Sequence, residues 1–217
     1  MAYDHEEQEQ IDALKAWWKQ YGNIITWILI AVLAIFSAWK GWGVYQVKQS
    51  VQASMLFEEV QKAIQENDQA KVFRAVTDVE EKYPGTNYAQ MGALLAARFA
   101  FDANDLKTTR TQLNWVIDHG KTDEFKSLAR IRLAAVLLDD KSYDEATKLL
   151  AGDFPAEFAS VVADQKGDIL VAQNKLEDAR ASYQLALDKA SDKSPGYQLI
   201  QLKIDAVGGS KSKVVTK

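Results

Sequence analysis

The sequence predicts an all-α protein, with one transmembrane helix near the amino terminus followed by a domain of repeated helix pairs. Three observations carry that expectation. Residues 24–39 form an uncharged apolar stretch. Helix breakers are scarce, with 3 prolines and 11 glycines in 217 residues, so long helices are permitted along most of the chain. Small residues recur at matching places in three successive segments after residue 87. The 47% hydrophobic and 26% charged content is that of a folded chain rather than a disordered one. The length suits one domain plus an anchor.

The apolar stretch gains length from Trp42 and Val44 beyond Lys40, which brings it near the roughly 20 residues that span a bilayer. Lys40 can extend its ammonium group to the headgroups. Trp17, Trp18, Tyr21 and Trp27 flank one end, and Trp39, Trp42 and Tyr45 the other, the aromatic belts of two membrane interfaces. Thr26 and Ser37 can bond back to helix carbonyls. A buried helix of a soluble core rarely carries bulky aromatics at both ends. A cleaved signal peptide fits poorly too, because the preceding segment is long and acidic (Asp4, Glu6, Glu7, Glu9, Asp12). Phe36-Ser37-Ala38 also puts a bulky residue where cleavage needs a small one. The reading is an uncleaved signal anchor. Orientation is nearly undetermined by charge: Lys15 and Lys19 stand on one side, Lys40 and Lys48 on the other. The free amino terminus, and Lys40 if it belongs to the span, tilt the balance towards a cytoplasmic amino terminus.

Past the anchor, Val47, Val51, Met55, Phe57, Val60 and Ile64 recur at three- and four-residue steps, so the anchor helix is expected to continue outward, with Gly41 and Gly43 as candidate kinks. A second helix is expected over residues 69–83, stopped by Pro84-Gly85. From Asn87 a weak repeat begins. Ala97, Ala134 and Gly167 mark the first helix of each unit at steps of 37 and 33 residues. Thr109, Ala146 and Ala179 mark the second helix at the same steps. Polar turns, Asn104-Asp105, Asp139-Asp140-Lys141-Ser142 and Gln173-Asn174-Lys175, separate the helices. This is the spacing of tetratricopeptide repeats, about 34 residues per helix pair. Small residues let the paired helices approach, while Tyr143, Leu150 and Tyr183 fill the gap to the next pair. A non-repeating helical bundle is the alternative. A last helix over 195–207 would cover the final repeat, and 208–217 reads as a flexible basic tail.

Composition excludes several functions. With 26 Lys and Arg against 30 Asp and Glu there is no basic stripe, and nucleic acid is set aside. The chain has no Cys and only two His, His5 and His119, so thiolate chemistry and a His-built metal cage are out of reach. No nucleophile elbow or phosphate-binding glycine loop occurs. The pairs Glu58-Glu59, Glu80-Glu81 and Asp139-Asp140 read as solvated faces. No enzyme and no cofactor are expected.

A repeat array does offer a concave surface lined by the first helix of each pair. By register, that face carries Met91, Leu94, Arg98, Phe101, Leu128, Ile131, Leu138, Asp164, Asp168 and Val171. Two readings stay open: an exposed patch for a peptide or partner helix, or plain core covered by the terminal helix.

Ile11-Asp-Ala-Leu-Lys-Ala-Trp-Trp18 before the anchor, Phe158-Ala-Ser-Val-Val-Ala-Asp-Gln-Lys-Gly-Asp-Ile-Leu170 and Asn174-Lys-Leu-Glu-Asp-Ala-Arg180 together resemble the YfgM family of ancillary SecYEG translocon subunits. The resemblance runs to about Val207; the basic tail has no clear counterpart. It implies an inner-membrane protein of a Gram-negative bacterium. Residues 1–22 would be a cytoplasmic tail, 23–45 the anchor in the lipid bilayer, and 46–207 a tetratricopeptide-like periplasmic domain. It implies association with the SecYEG translocon and with the chaperone PpiD, in support of the maturation of exported polypeptides. It carries over no catalytic residues. An envelope scaffold for division or cell-wall assembly is the alternative function for the same fold.

Overall fold

The computed structural model describes residues 3–208, with side chains from Glu9 onward. Most of the expected basic tail, 209–217, lies outside the described residues, as does the side chain of His5. Two compact units divide the chain between Val51 and Gln52.

In the first unit the chain is a single helix, part of α1 (Tyr3–Gln65), unbroken through Gly41 and Gly43. Residues 26–45 are all exposed, tryptophans and isoleucines included. Among the described residues α1 is the one helix long and apolar enough to cross a membrane. Thr26 Oγ1 donates to the Gly22 carbonyl at 2.7 Å, satisfying the hydroxyl within the helix as expected.

The second unit begins with the last turns of α1 and continues through α2 (Gln69–Lys82), α3 (Asn87–Asp102), α4 (Leu106–His119), α5 (Asp123–Asp139), α6 (Tyr143–Leu149), α7 (Ala159–Ala172), α8 (Leu176–Lys189) and α9 (Tyr197–Ala206). A 3-10 turn, Ala156–Phe158, precedes α7. No strand occurs among the described residues. From α2 to α9 successive helices pack on one another, with α5 also touching α7. This is the layering of a solenoid.

The repeat is more regular in its turns than in its side chains. At Asn104, φ is +58°; the Asp105 amide donates back to Ala100 at 2.8 Å, and Thr109 N–H then donates to Asp105 O at 3.0 Å. The same arrangement recurs at Lys141 (φ +60°) and Asn174 (φ +60°). There the Ser142 and Lys175 amides reach back to Leu137 at 2.8 Å and Leu170 at 2.9 Å. Each is a six-to-one helix ending whose left-handed residue turns the chain directly into the next helix. A fourth copy stands at Asn67 (φ +53°), where the Asp68 amide donates to Ala63 at 3.1 Å. The repeat therefore starts one unit earlier than the side chains suggest, and the first pair is the end of α1 with α2. At the repeat positions this pair carries Val60 and Val72, both wholly buried, where later units have Ala, Gly or Thr.

Three of the four left-handed positions are Asn, which tolerates that region; the fourth is Lys141, which does not. Lys141→Asn is expected to raise stability by about 0.5–1 kcal/mol, read as a higher denaturation midpoint. A lowered midpoint would mean that the lysine makes a compensating contact.

The third pair, α5 with α6, has a shortened partner helix: α6 is only 7 residues. Arg130 fills the space. Its guanidinium donates to the Leu149 carbonyl at 2.9 and 2.6 Å and to Asp153 O at 3.1 Å, capping the truncated end, and lies 4.0 Å over the Phe154 ring. Arg130 occupies the register of Ala93 and Ala163. The pattern breaks there because the neighbouring helix is missing a stretch.

Candidate functional site: an apolar groove beside α3 and α5

An open groove of about 630 Å³ lies in the second unit. Phe57 and Gln61 of α1 form one wall, and Met91, Leu94, Leu95, Ala97, Arg98 and Phe101 of α3 run along it. Thr109 and Leu113 of α4 contribute to the lining, and Phe125, Leu128, Arg132, Ala135 and Val136 of α5 close the other side. Leu113 is 1% exposed, whereas Met91 and Phe101 stay 39% and 38% exposed. Large apolar side chains left open in a concavity are the usual mark of a binding surface.

Five of the ten residues expected on the concave face meet here: Met91, Leu94, Arg98, Phe101 and Leu128. The other five do not. Ile131 is 7% exposed, within the core cluster that includes Val162 and Ile169 of α7, and Leu138 is half-buried against the same cluster. Val171 is exposed but lines no part of the groove. Asp164 and Asp168 face the terminal helix. Lys203 Nζ of α9 bonds both carboxylates at 2.9 Å, and the Tyr183 hydroxyl donates to Asp168 Oδ1 at 2.7 Å. In the last unit Asp164 and Asp168 are covered by α9, while in the earlier ones Met91, Leu94, Arg98, Phe101 and Leu128 line the groove and Ile131 and Leu138 pack with the core.

The electrostatics follow from that division. Burial raises the Asp164 carboxyl above its ordinary range, outweighing the pull of Lys203. Burial also works against the Lys203 charge, but two carboxylates share this one ammonium, and together they hold its pKa above the usual lysine value. Burial and the Asp168 hydrogen bond push the Tyr183 phenol up. In the groove the sign reverses. Arg98 is paired with Asp102, its Nε 2.8 Å from Oδ2. Arg132, exposed overall but partly desolvated by the groove wall, is lowered by burial and then by the Arg98 charge. No carboxylate pairs with Arg132 among the described residues.

Ten lining residues stand outside the expected set: Phe57, Gln61, Leu95, Ala97, Thr109, Leu113, Phe125, Arg132, Ala135 and Val136. A signal for the α5 residues was present: positions 125, 128, 132 and 135 follow the three-and-four spacing of one helix face. Register transfer from α3 chose Ile131 and Leu138 instead, on a different side of α5.

Stacked helix pairs joined by recurring left-handed turns, with an apolar leading helix, define the class of tetratricopeptide-like solenoid proteins. The tetratricopeptide repeat-like domain family model matches residues 15–209. The chain is 32% identical over 211 residues to an ancillary SecYEG translocon subunit of Neisseria gonorrhoeae, covering 95% of this chain and 100% of that protein. Proteins of the same name in Haemophilus influenzae and Escherichia coli are 29% identical over 189 residues and 25% over 203. These matches cover 84% and 92% of this chain, and 92% and 95% of the relatives. The chain belongs to the tetratricopeptide repeat-like family that these proteins form, the YfgM family. The family is of the non-catalytic adaptor type.

Proposed function

We propose that this chain is a single-pass inner-membrane adaptor associated with the SecYEG translocon. Residues 1–22 lie in the cytoplasm, 23–45 cross the bilayer and the repeat domain projects into the periplasm. There it binds a PpiD-type chaperone and assists the maturation of exported polypeptides. The observation that carries this reading is the open apolar groove, with Met91 and Phe101 more than a third exposed in a chain whose relatives are translocon subunits. The anchor supports it by raising the effective concentration of the domain near membrane-bound partners.

Phe101→Asp in the full chain tests it. Phe101 is already 38% exposed, so the fold is expected to melt as before. Co-purification of the translocon or the chaperone with the anchored protein is expected to fall about tenfold or more, as for the loss of an aromatic anchor in an interface. Unchanged recovery would remove the groove from the function. Leu128 is a less clean probe, because it also packs against the core cluster, and Asp there would cost stability as well.

A further inference from the structure

We propose that the groove selects an acidic, apolar peptide segment, with bulky apolar side chains against Met91, Phe101 and Leu128 and a side-chain carboxylate paired to Arg132. The inference rests on the groove being the docking site.

Two features set the occupant's chemistry. The first is shape. Along α3 from Met91 to Phe101 the groove follows about 15 Å of helix, room for four or five extended residues, and it is open rather than enclosed. That suits a stretch of polypeptide. The second is charge. Arg98 is satisfied by Asp102 at 2.8 Å. Arg132 lines the groove with no carboxylate partner among the described residues, beside a like charge that disfavours it. A carboxylate arriving with the peptide relieves both conditions and forms a charge-assisted, fork-shaped pair in a partly desolvated setting. A basic peptide adds a third cation there and is rejected.

The test uses the full chain in lipid nanodiscs and three fluorescent peptides of about twelve residues. All three share a Leu and a Phe about four residues apart, spaced to reach Met91 and Phe101, and they carry Glu, Gln or Lys at the intervening positions. Anisotropy titrations are expected to give the Glu peptide about tenfold tighter binding than the Gln peptide, with the Lys peptide weakest. Arg132→Gln is expected to erase the Glu preference, so that the Glu and Gln peptides bind alike. Arg98→Gln is expected to do less. Equal binding of the Glu and Gln peptides would overturn the carboxylate pairing and leave the groove reading standing. Binding of none of the three would overturn both. Displacement of the Glu peptide by oleate at equal concentration would assign the site to an anionic lipid chain instead and overturn the peptide proposal.

Discussion

Gly167→Ala is expected to destabilise the repeat domain by about 1–3 kcal/mol, although the same change in an ordinary helix interior stabilises by about 1 kcal/mol. The reversal has a local cause. A Cβ at position 167 would stand 2.9 Å from Tyr183 Cζ and nearer still to Cε1 and Cδ1. The ring cannot easily yield. Tyr183 is 2% exposed and its hydroxyl is held by Asp168 at 2.7 Å. The three units solve one packing problem with different sizes. Ala97 accompanies Leu113, Ala134 accompanies Leu150, and Gly167 accompanies Tyr183, each pair in the same register and each residue buried. Where the second helix supplies a ring, the first gives up its last carbon. Tyr183→Leu in the Gly167→Ala background should therefore recover part of the loss, because it recreates the Ala134 and Leu150 pairing. A double-mutant cycle by thermal denaturation is expected to show coupling of about 0.5–3 kcal/mol in the rescuing direction. Purely additive losses would mean that the two side chains do not compete for one space.

Leu113→Ala is expected to cost about 2–5 kcal/mol, the range for deleting a buried leucine side chain. Leu113 is 1% exposed and belongs to the largest core cluster, together with Ala97, Leu133 and Leu150. It also lines the groove. The substitution removes packing beneath the binding surface, so stability and partner capture are expected to fall together. Phe101→Asp, at the rim, separates the two. Chemical denaturation of both variants beside the capture experiment distinguishes floor from rim. A Leu113→Ala domain of unchanged stability would show that the pairs are not packed through this position.

How far the sequence could be read depended on how local each signal was. The anchor is a contiguous run, and residues 24–39 announced it. The turns were legible at Asn104-Asp105 and Asn174-Lys175, where a left-handed residue precedes a helix start. The identical Asn67-Asp68 step was passed over because valines, Val60 and Val72, stand where later units have small residues. A side-chain pattern cannot register a repeat that keeps its backbone turn and changes its packing. Register placed five of the fifteen groove-lining residues. The others required knowing which side of α5 faces α3 across the groove, a tertiary fact. The closing of the last unit by Lys203 joins residues 35 and 39 positions apart, and no periodicity within a helix pair points to such a partner.

Photo-crosslinking in living cells, with a reactive amino acid at Phe101 in one strain and at Asp168 in another, bears most directly on the proposed adaptor role. Phe101 lines the open groove, while Asp168 is held under α9 by Lys203. Adducts from position 101 to a translocon subunit, a PpiD-type chaperone or an exported chain, with none from position 168, are the expected result. Adducts from 168 but not from 101, or adducts from 101 only to division and wall-assembly proteins, would contradict it.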